Sequence, residues 1–283
     1  MSAITVAKKD FADAARSRKL MALTAVFALF TFGGAFLASW IGDLFAEMEG
    51  EGAETTIDLV VALQTPASYL VPIIALILGY AAIAGERESG SLKFLLGLPH
   101  TRRDVVLGKI LGRSAVVAVS ILIGFGVGLI GLFAFVGSVS IVDYLLFTLV
   151  TILFGFVYIC IAVGLSSMTR STTTAGAGAF GLIVFLWFVW GVLAMGVLYL
   201  VEGELWMESH PDWYISLLSL SPDAAYGSAI AAVFGEGQFT IASAYGVENP
   251  PLLAEPWFGF VVLGVWALVP LGIGIVLFNR ADL

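Results

Sequence analysis

Few side chains in this sequence could do covalent or metal chemistry. The two histidines are His100 and His210, the single cysteine is Cys160, and Gly164-Leu-Ser-Ser167 places two serines in an apolar run. A serine nucleophile needs an adjacent base, and neither histidine shares a run with these serines, so the segment reads as a small-residue helix end. Zinc and copper sites need several convergent imidazole or sulfur donors. One cysteine, two separated histidines and Met207 near His210 do not form such a set, so no metal or cofactor is expected on this chain. A phosphate-binding loop is missing as well: Gly108-Lys109 is followed by Ile110, and Arg103 stands where the first glycine of GxxxxGK[ST] belongs. The chain is not expected to be an enzyme, and any nucleotide-driven motor must be another chain. What remains is ionic: the run Glu86-Arg-Glu88 with Lys93, and the pair Lys109 and Arg113 on one helix face.

The scaffold that must position these charges is membrane-spanning. Hydrophobic residues make up 60% of the 283 and charged residues only 12%, against about 45–50% and about 25% in soluble domains. Six stretches carry no Asp, Glu, Lys or Arg, at 20–42, 59–85, 114–142, 144–169, 171–201 and 256–279. Each meets the roughly 20 residues that a helix needs to cross the hydrocarbon core. The expected fold is an all-α integral membrane protein, one transmembrane domain over 1–283, with spans near 20–42, 63–85, 114–137, 144–166, 176–201 and 257–279. The basic stretch before Leu20 resembles the start of a signal peptide. The apolar run behind it is too long for one, so it is expected to be an uncleaved first span.

Charge is sorted by side. With a cytoplasmic N-terminus, all 13 Lys and Arg fall inside together with six of the 21 acids, giving +7 inside and −15 outside. Orientation follows the Lys/Arg bias of short loops, so both termini are expected in the cytoplasm and the protein in the cell membrane. Nucleic acid is not an expected partner. An outer face coated with carboxylates suits a high-salt exterior, where they keep the surface solvated.

Local patterns refine this plan. Residues 1–19 place Ile4, Ala7, Phe11 and Ala14 at helical spacing with Lys8, Lys9, Asp13, Arg16 and Lys19 on other faces, an amphipathic helix for the inner surface. Residues 43–58 read as a solvated acidic connection. Pro72 is expected to kink the second span and Pro66 to lie in its first turn. Lys109 and Arg113 are expected to snorkel to the inner interface. Gly124, Gly128 and Gly131 form a small-residue face for close helix approach. The external region 202–255 contains uncharged runs of 10 and 12 residues, too short to span, with a break at Ser221-Pro222. Interfacial or re-entrant helices are expected there. No ionisable residue lies deep in a span, which removes the buried acid or base on which many ion-coupled carriers depend.

The inner connection at 86–104 is the most informative segment. It reads Glu86-Arg-Glu-Ser-Gly-Ser-Leu-Lys-Phe-Leu-Leu-Gly-Leu-Pro99, then Arg102-Arg103 and Gly108-Lys109 opening the next span. Leu92, Leu95 and Leu96 share a face, the charges lie elsewhere, and Pro99 stops the helix. By residue type alone this is a short amphipathic helix, equally able to serve as a solvated connector. Its motif, the six spans, the basic first helix and Ser221-Pro-Asp-Ala-Ala-Tyr226 together resemble the permease subunits of type-2 ABC transporters.

That resemblance implies a coupling helix in which Glu86, Arg87, Glu88, Ser89, Gly90, Leu92, Lys93, Leu95, Leu96 and Pro99 meet a cytoplasmic ABC ATPase. Ser166, Ser167 and Arg170 would make a smaller second contact. It also implies ATP and Mg²⁺ on that partner, a second permease copy, and re-entrant helices capping the external end. Relatives mostly export lipids, glycans, peptides or drugs, and one branch serves copper-enzyme maturation. The apolar spans suit a hydrophobic or amphipathic cargo. An ATP-independent carrier or channel, or a structural anchor for an assembly complex, remain the alternatives.

Overall fold

In a computed structural model, residues 3–49, 56–92, 101–135, 140–207, 209–235 and 239–280 are described. Among them the structure is all-helical. Its helices, in order, are α1 (Ala3–Ala15), α2 (Arg18–Glu49), α3 (Thr56–Gly79), α4 (Ala84–Glu88), α5 (Arg102–Phe135) and α6 (Ile141–Met168), then α7 to α11. Of these, α7 spans Thr172–Glu202, α8 is Asp212–Ser219, α9 is Pro222–Phe234, α10 is Ile241–Ala244 and α11 is Phe258–Arg280. Six helical stretches among the described residues are long and apolar enough to cross a membrane. The chain divides into two compact units, one of residues 1–78 and 99–159, the other of 79–98 and 160–283.

In the first unit, α5 is the packing surface for both α1 and α2. A side chain at Gly108 would start 2.5 Å from the Val6 Cβ, and one at Gly112 would start 2.8 Å from the Ala7 carbonyl oxygen, so α1 rests directly on the α5 backbone. Further along α5, Gly124 faces the Phe27 ring, Gly128 faces Thr31 and Gly131 faces Phe32, all on α2. This is the close approach that the small-residue face allows. Thr31 Oγ1 donates to the Gly124 carbonyl at 2.7 Å, and Thr24 Oγ1 donates to Ser120 Oγ at 2.9 Å. These bonds satisfy polar groups that hydrocarbon cannot. Phe125 stacks on Phe147 at 5.1 Å, and the Tyr144 hydroxyl donates to the Phe125 carbonyl at 2.6 Å.

Three local expectations are corrected here. The buried face of α1 is Val6, Asp10 and Ala14, whereas Ile4 is exposed. Asp10 rather than an apolar residue sits at its centre because Lys109 and Arg113 meet it there. Those two cations therefore do not snorkel: Lys109 Nζ lies 3.1 Å from Asp10 Oδ1, and Arg113 Nε lies 2.8 Å from Asp10 Oδ2. Finally, α2 runs to Glu49 and α3 already begins at Thr56, which makes much of the expected acidic connection helical and places Pro66 well past the first turn.

The second unit starts at the end of α3. There α6 and α11 approach to backbone contact, since a Cβ at Gly164 would fall 2.7 Å from the Pro270 carbonyl oxygen and one at Gly274 would fall 2.7 Å from the Gly164 carbonyl oxygen. Within α7, one π-helical turn, Phe185–Val189, interrupts the α-helical ladder. The pair α8 and α9 is bent by 97°. Ser221 caps α9 by accepting the Ala224 N–H, and Pro222 occupies the first helical position, where its missing N–H costs nothing. Helix α8 packs on the second half of α7, with Tyr214, Ile215 and Leu218 against Ala194 and Leu198. Helix α9 packs on α11, with Ser228 and the Ala225 carbonyl against Gly259.

Candidate coupling site

The connection between α3 and α5 opens with a turn, and the next connection of the same unit organises it. Ser166 is fully buried near the end of α6, and its Oγ accepts both the Ile83 and the Ala84 N–H at 3.0 Å. Those N–H groups belong to the start of α4, which has no cap of its own. Ser166 therefore supplies from a distance what an N-cap supplies locally. Ser167, also buried, donates its hydroxyl to the Gly164 carbonyl at 2.6 Å. Both serines are structural in this geometry.

One turn later, the two charges of α4 reach into the same segment. Arg87 Nη1 donates to the Thr169 carbonyl at 2.9 Å and to the Ser167 carbonyl at 3.3 Å, while its guanidinium lies 5.5 Å from the centroid of Phe278 on α11. A guanidinium can donate hydrogen bonds while it lies over an aromatic ring, so one side chain links the 167–169 segment to α11. Glu88 Oε2 accepts from the Thr172 backbone N–H at 2.8 Å and from Thr172 Oγ1 at 2.6 Å. Thr172 is the first residue of α7, and Ser171 before it makes no side-chain cap, so Glu88 caps α7 with a full charge where the helix dipole favours an anion. The Thr172 hydroxyl and then its N–H hold the Glu88 carboxyl below its usual range.

The rest of the motif finishes the turn. Gly90 has φ +74°, a left-handed conformation that glycine adopts without Cβ strain, and its N–H bonds back to the Arg87 carbonyl at 3.2 Å. Ser89 and Ser91 are exposed and share a hydroxyl contact at 3.0 Å, whereas Leu92 is buried. Glu86 is half-buried and Arg170 is exposed. Lys93, Leu95, Leu96 and Pro99 lie outside the described residues. Thus the structure joins Arg87 and Glu88 to the Ser166–Ser167 segment instead of presenting them to solvent alone. Sequence reasoning misses Thr169, Thr172 and Phe278. A signal for Thr172 exists, since Ser171-Thr-Thr-Thr174 opens a helix with no acid of its own in the first turn.

Among the described residues, six long apolar helices, a bent helix pair and two interlocked polar connections define a multi-pass membrane protein. The chain belongs to the ABC-2 family of transporter proteins, whose model matches residues 4–283. It is 33% identical to the "Probable ABC transporter permease protein NosY" of Pseudomonas aeruginosa over 285 residues, covering 98% of this chain and 97% of that protein. A protein of the same description from Stutzerimonas stutzeri is 31% identical over 281 residues, covering 97% of each. The chain is accordingly an ABC transporter permease subunit; permeases of this kind are membrane subunits rather than catalytic ones, and in general they work with an ATPase partner.

Proposed function

We propose that this permease forms the substrate pathway of an ATP-driven exporter, working as two copies with two cytoplasmic ATPases, and that α4 is the element the ATPase pushes. One observation carries the reading. Through Arg87 and Glu88, α4 grips the 167–172 segment and α11, so a force on α4 reaches two spans without passing through a flexible loop. Exposed Ser89 and Ser91 with the following Lys93, Leu95, Leu96 and Pro99 would face the partner, and Arg170 would extend the contact. ATP and Mg²⁺ would be bound by the partner alone. The Lys/Arg bias of the connections supports a cytoplasmic α4 and cytoplasmic termini. ATP binding would close the ATPases and switch the paired permeases between inward- and outward-open arrangements by rigid-body movement.

The test is the charge exchange Arg87→Glu with Glu88→Arg. The variant should reach the membrane at the normal level and still copurify with its ATPase, while ATP-dependent transport is lost. Unchanged transport overturns the role of α4, and transport that persists without nucleotide while following an ion gradient overturns the ATP-driven reading.

A further inference from the structure

The bent pair α8–α9 is braced in a crossed manner. Helix α8 packs on α7, and Trp213 Nε1 of α8 donates to Glu202 at the end of α7 at 3.2 Å. Helix α9 packs on α11. Yet each of these spans also sends an indole across the break to the other arm. Trp266 of α11 donates to the carbonyl of Leu220, which ends α8, at 2.8 Å, and Trp187 of α7 donates to Asp223 in the first turn of α9 at 3.4 Å.

These braces lie far from α4. Along the helices, Trp187 is about 22 Å from Thr172 and Trp266 is about 18 Å from Phe278, at about 1.5 Å per residue. Spans α7 and α11 are therefore bridged twice, by α4 through Glu88 and Arg87, and by the bent pair through the two indoles. Two stiff rods joined at both ends form a linkage: changing their separation at one bridge must be absorbed at the other. The compliant parts are identifiable. At 3.4 Å the Trp187 bond is long for N–H···O, whereas the Trp266 bond is near the optimum. Trp187 also sits on the π-helical turn, a local insertion of a kind frequent at functional sites, and relaxing such a turn to α-helix re-aims its side chains.

We propose that the Leu220–Pro222 break is a hinge driven by the separation of α7 and α11, with Trp187 and Trp266 as the positioning residues that couple it to α4. This rests on the reading of α4 as the element pushed by the ATPase. As that element shifts, α7 and α11 part or close, the Trp187–Asp223 contact yields first, and Trp266 holds the α8 side so that the bend opens about Leu220.

The experiment uses the permease reconstituted with its ATPase in lipid nanodiscs, which leave both faces accessible, in a Cys160→Ala background, with Leu220→Cys as a reporter for a hydrophilic maleimide. The labelling rate should differ at least threefold between the nucleotide-free and the ATP-trapped complex, and the difference should vanish in Trp187→Phe with Trp266→Phe, which keeps the rings and removes the donors. Asp223→Asn, which retains an acceptor, should preserve the response, and Asp223→Leu should lose it. A second reporter, Ser91→Cys, should be protected by bound ATPase equally in the wild type and the phenylalanine variant, showing that the variant is folded and docked. Absent protection at Ser91→Cys in the wild type overturns the α4 reading and the hinge with it. Protection at Ser91→Cys with a nucleotide-independent rate at Leu220→Cys, or with a response that survives both phenylalanines, overturns the hinge alone.

Discussion

Asp10 and Lys109, 99 positions apart in sequence, meet at 3.1 Å with 5% and 4% of their side chains exposed. Arg113 completes the group from the next turn of α5. Two buried charges and a third that is 20% exposed are tolerated there because each has a partner. Removing only the carboxylate leaves two cations uncompensated, which costs about 3–5 kcal/mol in buried pairs. Asp10→Ala should therefore lower the thermal midpoint in detergent and release α1, seen as faster tryptic cleavage at Lys8, Lys9 and Arg16. Adding Lys109→Met to Asp10→Ala should recover part of the midpoint, since an apolar replacement removes one desolvated charge. A double variant no better than Asp10→Ala would contradict this account.

The seat of α1 depends equally on missing side chains. Gly108 and Gly112 allow its backbone to lie on α5, and a Cβ at either position meets α1 atoms at 2.5–2.8 Å. Gly108→Leu should reproduce the tryptic sensitivity of Asp10→Ala with the ion pairs chemically intact, whereas Gly126→Leu, in open space on the same helix, should not. Equal sensitivity of the two leucine variants would show that α5 merely tolerates no bulk.

How much of this is legible in the sequence depends on whether a feature is local. The spans, the break at Ser221-Pro222 and the close approach at Gly124 follow from hydropathy length, the proline rule and residue size, all of which act within one or two turns. The same small-residue logic applies to Gly108-xxx-Gly112, but there the adjoining Lys109 and Arg113 suggest a snorkelling face, and nothing local reveals that Asp10 meets them. The clamp at α4 is hidden for the same reason. Arg87 and Glu88 look like docking charges for a partner, and nothing local reveals that they also bond Thr169 and Thr172, more than 80 positions away. The π-helical turn in α7 has no sequence signature, because Phe185–Val189 reads as any apolar run.

Acid should open the Glu88 clamp. The bonds from Thr172 favour the charged carboxylate and lower its pKa from the ordinary 4.5. A depressed folded-state value means that the contact is present above pH 4.5 and is lost as the pH falls through the lowered value. In nanodiscs, the Glu88 side-chain carboxyl carbon shift should be flat from neutral pH down to that range. In Thr172→Val, its titration midpoint should move upward toward 4.5. A midpoint that ignores Thr172→Val would show that the carboxylate is set by something else.

Arg87 is tested by how much of its geometry a substitute can copy. Lysine keeps the charge and a donor group, but it lacks the planar guanidinium whose Nη1 serves Thr169 and Ser167 while the plane lies over Phe278. Hydrogen bonds from a charged donor contribute about 1.5–3 kcal/mol each, about ten- to hundredfold in a local opening equilibrium. Backbone amide exchange across residues 166–172 should therefore accelerate about tenfold or more in Arg87→Ala, with Arg87→Lys between that variant and the wild type. Phe278→Leu, which keeps an apolar side chain at this buried position, should raise exchange less than Arg87→Ala, because it removes one cation–π contact of a half-buried guanidinium and leaves both of its hydrogen bonds. If Arg87→Lys behaves as the wild type, charge alone holds the two connections together. If Phe278→Leu matches Arg87→Ala, the ring and not the carbonyls places the guanidinium, and the link from α4 to α11 is stronger than its link to the 167–172 segment.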